Sequence, residues 1–185
     1  NAVGLSRLGV LPTGRDARGM LAEARGAYVL YGIEPGLDFV DTATAMQALG
    51  GAQVVAFSHF ACESTRAVAD VILPIGLLPE IEGTLVNLDG REQSTVAGGR
   101  LPREAREGWK VLRALAGMLQ ADGFGFTDLA GLREGMAARD VTPVAGTPVP
   151  AGEGMEVAAS EAIYRVDAVV RRSQALQSHP LNQPP

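Results

Sequence analysis

The chain has 185 residues, of which 46% are hydrophobic and 20% are charged, as in an ordinary globular domain. Its formal net charge of −5 argues against a nucleic-acid-binding surface, and its apolar runs are far shorter than the roughly 20 residues of a membrane-spanning helix. A single cysteine, Cys62, and two histidines, His59 and His179, exclude a disulfide framework and any iron–sulfur or cysteine-rich zinc site built by these residues alone. The first residue is Asn1 rather than Met and no secretion signal follows, so we expect a piece of a longer chain.

Strand and helix patterns alternate in the first half of the chain. Three short β-prone runs cover residues 28–31, 53–60 and 69–75, and they lack the polar alternation of a half-exposed strand. Between them the sequence predicts a helix that is capped by Asp41 and ends near Gly50, and a shorter helix over 63–69. This order predicts an α/β fold with a doubly wound, mainly parallel sheet, whose carboxyl edge is where such folds bind ligands.

A β-hairpin is predicted directly after the third strand. Pro74 cannot donate to a strand ladder and should end that strand. Residues 84–86 and 91–96 then flank the tetrapeptide Asn-Leu-Asp-Gly, in which Gly90 suits the left-handed position of a type I turn with a G1 bulge.

The rest of the chain divides into helices, a connection and a C-terminal segment. Residues 104–119 predict an amphipathic helix with Trp109 as its core anchor, and a weaker helix follows from 127–128 to about 139. We therefore predict an α/β domain over 1–139, a Pro/Gly-rich strap over 140–154, a C-terminal strand and helix over 155–178 that packs back on the domain, and a disordered tail over 179–185.

Two groups of side chains could carry chemistry. Glu80 and Glu82 lie two residues apart and could share a proton as an acid–base pair, although a solvated loop is the simpler interpretation. Cys62 at the start of a short helix, with His59 three residues before it, suggests a Cys–His nucleophile or a zinc site with carboxylates. No orienting residue or oxyanion motif accompanies this pair, and a buried inert thiol is the alternative. We therefore predict no catalytic residue and no metal site.

Four phrases of the sequence, in this order and spacing, resemble a known family. They are YGIEPGLD (31–38), PEIEGTLVNLDGREQS (79–94), EGWKVLRALAGMLQADGFGF (107–126) and IYRVDAVVRRSQALQ (163–177). Together they resemble the C-terminal part of the large iron–sulfur subunit of bacterial respiratory complex I, the G chain of NADH–quinone oxidoreductase, which is itself similar to molybdopterin oxidoreductases. The positions that match the family pattern are Glu34, Pro35, Asp38, Asp70, Pro74, Glu80, Gly83, Thr84, Asn87, Gly90, Arg91, Gln93, Trp109, Arg113, Tyr164, Asp167 and Arg171.

The resemblance implies a structural domain of an electron-transfer enzyme. The parent protein would pass electrons from NADH through 2Fe-2S and 4Fe-4S clusters to quinone, whereas this segment holds no redox centre and is not catalytic alone. The implied partners are the remainder of the subunit and other peripheral-arm subunits, without nucleic acid or membrane insertion, on the cytoplasmic side of the bacterial inner membrane. The alternatives are a fragment of a formate dehydrogenase-like enzyme that still binds its molybdopterin, and a nucleotide-binding regulatory module.

The resemblance also implies a cofactor edge that has lost its ligand. The Gly-Glu-Asn-Pro text of the molybdenum enzymes is replaced here by Gly-Ile-Glu-Pro at 32–35, and a buried Glu34 would repel an anionic phosphate. We therefore expect no pterin and no molybdenum. The vestigial edge would comprise Glu34, Asp70, Glu80, Asn87 and Arg91. Arg91 should pair with a nearby carboxylate or carbonyl, and a phosphate role is the minor option.

An excised domain should also carry apolar surface on its exterior. The faces that the rest of the subunit normally covers would be exposed in the isolated chain. An exterior that is polar on every side would contradict this expectation.

Overall fold

The computed structural model describes residues 2–10, 15–136 and 161–182. The chain divides into two compact units, Asn1–Thr142 and Pro143–Pro185. The predicted strap over 140–154, the end of the helix predicted to reach 139, and the last residues of the predicted tail lie outside the described residues.

The first unit combines a parallel sheet, a separate hairpin, six α-helices and one 3₁₀ helix, Leu78–Glu80, in its described part. Its strands are β1 Ala27–Tyr31, β2 Gln53–Ser58, β3 Val71–Pro74, β4 Gly83–Val86 and β5 Glu92–Thr95. Its α-helices are α1 Ala2–Arg7, α2 Ala17–Ala22, α3 Thr42–Gly50, α4 Glu63–Val68, α5 Gly108–Met118 and α6 Leu129–Glu134. Strands β1, β2 and β3 are parallel and lie side by side in that order, and β4 pairs with β5 in an antiparallel hairpin. The predicted α/β architecture with a parallel sheet and a separate hairpin is confirmed.

The hydrophobic core lies between one face of the parallel sheet and α3. Leu30, Val54 and Ala56 project from β1 and β2 onto Leu49 of α3, and all four side chains are buried. In a strand, alternate residues share a face, so these three positions fix which side of the sheet meets the helix. The burial of such apolar side chains supplies the main driving force for folding this unit.

Asp41 caps α3 as the sequence predicts. Its Oδ1 accepts a hydrogen bond from the Thr44 amide at 2.9 Å, and its Oδ2 accepts one from the Thr44 hydroxyl at 2.6 Å. Both bonds stabilise the charged carboxylate, the bond from the Thr44 hydroxyl more than the bond from the Thr44 amide. The pKa of Asp41 is therefore lowered from its ordinary value of 3.8.

The depressed pKa of Asp41 makes the cap sensitive to acid. A carboxyl group whose pKa is lower in the folded state stabilises the fold above its unfolded pKa, and this contribution is lost as the pH falls through the folded pKa. We expect Asp41→Asn to lower the melting temperature at neutral pH, and the gap to the parent chain to close below pH 3.8. Melting curves across this range test the prediction, and a gap that does not change with pH would contradict it.

The hairpin follows its turn chemistry. The Arg91 amide donates to the Asn87 side chain at 2.8 Å, and the Asn87 amide donates to the Arg91 carbonyl at 3.1 Å. Gly90 adopts φ +80°, a left-handed conformation that glycine reaches without steric cost. The predicted turn is confirmed, and β3 ends at Pro74 as expected.

Helix α5 begins four residues later than the sequence predicts. Residues just before it extend the sheet instead, because the Arg106 amide donates to the Pro74 carbonyl at 3.3 Å and the Gly76 amide donates to the Arg106 carbonyl at 2.9 Å. This backbone pairing beside the end of β3 holds the chain extended, so the helix starts only at Gly108.

Trp109 is not the core anchor that the periodicity predicts. Its side chain is half-buried, and its ring packs 6.0 Å from the Phe126 ring. The Lys110 ammonium lies 5.2 Å from the centroid of the indole ring. Trp109 therefore belongs to an aromatic cluster at the side of α5, and the buried core around Leu49 forms without it.

The described part of the second unit is built from helical turns. The 3₁₀ helices Ile163–Arg165 and Val170–Arg172 precede α7, Gln174–Gln177, and a further 3₁₀ helix, Pro180–Asn182, follows it. The described start of the predicted disordered tail is therefore ordered, with Asn182 buried. The predicted strand is wrong for residues 163–165, and the predicted helix from Asp167 is broken into short turns. The Asp167 carboxylate accepts the Val169 and Val170 amides at 2.9 and 2.8 Å, a local arrangement that competes with a regular helix.

Candidate functional site

The carboxyl edge of the sheet carries the loop that follows β1. The Gly32 amide donates to the Phe57 carbonyl at 2.8 Å, so the loop leaves the strand while still bonded to β2. The Glu34 side chain is only 3% exposed, and the Glu34 amide donates to the Asp38 carboxylate at 2.7 Å. The prediction that Glu34 is buried is confirmed, and Asp38 fixes the turn around it.

Gly36 and Ser64 join this loop to the start of α4. The Gly36 amide donates to the Ser64 hydroxyl at 3.0 Å. A Cβ at position 36 would lie 2.9 Å from the Ser64 Cβ, which is closer than real Cβ contacts allow. Position 36 therefore has to be glycine for the two loops to approach.

An open hollow of about 440 Å³ lies where the two loops meet α3. It is lined by Gly36, Leu37, Met46, Cys62, Glu63, Ser64 and Ala67. Its position beside the carboxyl ends of β1 and β2 is the place at which open α/β sheets bind ligands. Among the described residues that line it, none is a lysine or an arginine, and Glu63 is acidic.

Cys62 and His59 do not form the pair that their spacing suggests. The Cys62 Sγ lies 3.1 Å from the Thr65 hydroxyl and 3.3 Å from the Ser64 hydroxyl. The His59 Nδ1 lies 3.3 Å from the Ile75 carbonyl oxygen, between the ends of β2 and β3. In the described contacts, His59 is therefore not the base of this thiol. In residues 2–10, 15–136 and 161–182, no group of three or more His, Cys, Asp or Glu could hold a metal ion.

Glu80 and Glu82 also have separate partners. The Glu80 carboxylate accepts the Leu77 amide at 2.9 Å and closes the 3₁₀ turn Leu78–Glu80. The Glu82 carboxylate lies 2.6 Å from Arg133, a residue of α6. The described contacts thus give each carboxylate its own partner, and Glu82 is an exposed carboxylate that pairs with Arg133. Sequence reasoning missed Arg133, because 51 residues separate the two partners.

Only one residue of the expected vestigial edge belongs to the loop that borders the hollow, namely Glu34. Asp70 lies at the opposite, amino end of β3, where its carboxylate accepts the Val54 amide at 2.7 Å. Its assignment to the cofactor edge is wrong, because it precedes its strand rather than following it. Asn87 closes the hairpin turn and Glu80 the 3₁₀ turn, so each has a local structural role.

Arg91 departs from its predicted role. Its side chain is exposed, and its guanidinium forms no ion pair within the part of the chain that the structure describes. The predicted local pairing through the side chain is therefore wrong there. Position 91 contributes to the hairpin through its backbone instead.

Across the described ranges, every helix is too short or too polar to cross a bilayer.

Comparison with known proteins connects this fold to one family. The sequence model of the family described as molybdopterin oxidoreductase matches residues 12–118, more than half of the chain. Shorter segments are similar to subunits of one respiratory enzyme. A stretch of 53 residues is 51% identical to the mitochondrial NADH-ubiquinone oxidoreductase 78 kDa subunit of Candida albicans, covering 29% of this chain and 7% of that protein.

Two further relatives carry similar names. A stretch of 69 residues is 42% identical to the mitochondrial 78 kDa subunit of Neurospora crassa, covering 37% of this chain and 9% of that protein. A stretch of 52 residues is 46% identical to the NADH-ubiquinone oxidoreductase 75 kDa subunit of Reclinomonas americana, covering 28% of this chain and 8% of that protein. The matches thus span less than a tenth of each relative's length. From the family match and the parallel α/β sheet with its loop-lined edge, the chain belongs to the molybdopterin oxidoreductase family.

Proposed function

We propose that this chain is a segment of the large iron–sulfur subunit of a bacterial NADH–quinone oxidoreductase, and that it acts there as a structural domain. The observation that carries the proposal is the identity of 42 to 51% to 75 and 78 kDa subunits named for that enzyme. The parent subunit would bind 2Fe-2S and 4Fe-4S clusters through residues outside this chain. It would lie peripherally on the cytoplasmic side of the inner membrane, in contact with other peripheral-arm subunits.

The chemistry of the edge does not fit the cofactor that the family name implies. A pterin dinucleotide carries phosphates, which proteins usually hold with arginine, lysine or rows of backbone amides. The described lining of the hollow provides no basic side chain. The carboxylate of Glu63 lies in this lining, and that of the buried Glu34 lies in the adjoining loop. Bringing an anion beside these carboxylates would cost free energy through repulsion at short range. This supports a scaffold that has kept the shape of the edge without the cofactor.

The scaffold role assigns a physical task to the edge residues. Asp38 closes the β1–α3 loop on itself, the bond from Gly36 to Ser64 fixes that loop against α4, and Glu80 closes the turn after β3. These bonds hold the ends of the three strands in a fixed arrangement without a reacting group. Electron transfer would then run through iron–sulfur clusters in other parts of the subunit, and this unit would pack rigidly against those parts.

The proposal is tested by the identity of the native assembly. We propose to add an affinity tag to the chromosomal gene. The tagged protein should then migrate on native gels together with NADH dehydrogenase activity and with the other peripheral-arm subunits. Deleting the gene should abolish NADH–quinone activity in membranes, and the parent gene should restore it. A tagged protein that migrates apart from that activity would overturn the proposal.

The family match favours a second candidate, a pterin-binding oxidoreductase segment. The two candidates predict different molybdenum and pterin contents of the purified protein. The scaffold hypothesis predicts neither stoichiometric molybdenum by elemental analysis nor a pterin absorbance or fluorescence signal. Stoichiometric molybdenum, or a pterin whose retention changes on Glu34→Gln substitution, would favour the second candidate.

A further inference from the structure

Strand β1 has an open edge in the part of the chain that the structure describes. The sheet order is β1-β2-β3, so β1 pairs with β2 on one side only. The Gly26 carbonyl and the Gly32 amide both bond to β2. Because backbone groups alternate in direction along a strand, Ala27, Val29 and Tyr31 turn their amides and carbonyls toward the open side.

The amino-end part of one face of the same sheet is also uncovered by the described residues, whereas Phe57 at its carboxyl end is buried. The strand register aligns Val29 of β1, Val55 of β2 and Val71 of β3 in one row, which we call the valine row. Val29 is 68% exposed, Val71 is 46% exposed, and Val55 is half-buried. Parallel sheets normally have both faces covered, and α3 serves the opposite face through Leu49.

Helix α5 covers only the far end of this face. Its first residue, Gly108, packs against the ring of Tyr31, at the carboxyl end of β1. The valine row lies nearer the amino ends of the strands, and β1 has the sequence AYVLY, without a charge or a proline. Natural edge strands that stay exposed usually carry such protecting residues. The sequence of β1 is therefore that of an internal strand.

We propose that a strand–helix unit from polypeptide outside this chain completes the sheet, its strand pairing parallel with β1 and its helix packing on the valine row. Three parallel strands in sequential order form one half of a doubly wound sheet, in which the second half begins beside the first strand. Connections between parallel strands are right-handed, so reversing the strand order at β1 moves the connecting helix to the other face. One added unit thus covers both the open edge and the open face.

The occupant is the remaining polypeptide of the parent subunit, an assignment that rests on the proposed function. The matches cover only 7 to 9% of the relatives' length, which leaves ample chain to supply the unit. A second copy of this chain is the rival occupant. Pairing β1 with another β1 would satisfy the edge, but it would add no helix to cover Val29 and Val71. The added helix should present an apolar stripe, and the added strand should be rich in β-branched residues.

Hydrogen exchange of β1 tests the proposal directly. The amides of Val29 and Tyr31 should exchange fast in the purified 185-residue chain and at least about tenfold more slowly in the native assembly isolated through a tag. The amides of Tyr28 and Leu30, which turn toward β2, should be protected in both samples and serve as the internal reference. Equally fast exchange of Val29 and Tyr31 in both samples would overturn the proposal. Equal protection of these amides in the isolated chain would also overturn the proposal. A dimeric mass in light scattering would then identify a second copy as the occupant, and a monomeric mass would identify a segment of this chain.

Paired variants separate docking from folding. The double variant Val29→Lys/Val71→Lys should leave the melting temperature of the isolated chain close to that of the parent, because Val29 and Val71 are 68% and 46% exposed there. In the native assembly it should remove the protection of Val29 and Tyr31. Leu88→Lys, at an exposed hairpin position, is the matched control and should change neither measurement. If the double variant lowers the melting temperature of the isolated chain as strongly as Val54→Lys does, the valine row is already covered and the proposal fails.

The same sample also tests the proposed function independently of the docking proposal. Mass spectrometry of the assembly shows whether NADH–quinone oxidoreductase subunits are present. Protection of β1 in an assembly without them would support the docking unit and refute the enzyme assignment.

Discussion

Replacing Leu49 by alanine should lower the free energy of unfolding by about 2–5 kcal/mol. Leu49 is 0% exposed and forms the contact between α3 and the sheet residues Leu30, Val54 and Ala56. The substitution removes most of the buried side chain and leaves a cavity, because packed strands on one side and the helix backbone on the other cannot close the space. Urea denaturation followed by circular dichroism measures the loss.

Leu119 provides the matched control for this change. It lies at the C-terminal end of α5, and its side chain is 70% exposed. The same leucine-to-alanine substitution there should alter stability by no more than about 0.5 kcal/mol. If both substitutions cost the same free energy, the core would not lie between α3 and the sheet.

The elements that the sequence predicts correctly are those whose signals are local. Asp41 with its partner three residues on specifies the start of α3, and Gly90 specifies the hairpin turn through its own backbone conformation. Pro74 ends β3 because it lacks an amide proton. Each of these signals acts within a few residues, so it survives whatever the rest of the fold does.

The errors arise where distant contacts decide the outcome. The apolar stripe of α5 predicts a buried face, yet Leu119 and half-buried Trp109 leave much of that stripe accessible in the described structure. Periodicity shows that a helix has an apolar face but does not show what covers it. Arg106 illustrates the same limit, because its pairing with the end of β3 displaces the predicted helix start.

The candidate site shows how far a resemblance carries. The resemblance to the complex I subunit identified Glu34 as a buried carboxylate at the sheet edge, and the structure confirms that Glu34 is buried there. It also assigned Asp70 to that edge, although the chain direction alone places a residue before β3 at the amino end. The partners of the Cys62 thiol, Ser64 and Thr65, are hydroxyl residues in the first turn of α4, within helical reach of the thiol. Strand direction is therefore sufficient to correct the assignment of Asp70 to the cofactor edge, and helix geometry is sufficient to correct the suggested pairing of Cys62 with His59. Both follow from the order of residues along the chain.

Substituting alanine at two glycines of α5 should give effects of opposite sign. At Gly108, an added Cβ would overlap the hydroxyl of Tyr31 and lie 2.8 Å from its Cζ, so either α5 or the Tyr31 side chain has to shift. Overpacking of this kind costs about 1–3 kcal/mol of unfolding free energy. At Gly117, nothing lies within 4 Å of the added Cβ, and the better helix propensity of alanine should stabilise the chain by up to about 1 kcal/mol.

The Tyr31 side chain provides a double-mutant test of the mechanism. If the clash with its hydroxyl causes the loss at Gly108, the Tyr31→Phe background should reduce the cost of Gly108→Ala without changing the effect of Gly117→Ala. The reduction should be partial, because the ring carbon remains too close to the new methyl group. Equal costs in both backgrounds would show that α5 does not seat on Tyr31. The end of β1 would then be as open as the valine row, and the added unit would have to cover the whole face of the sheet.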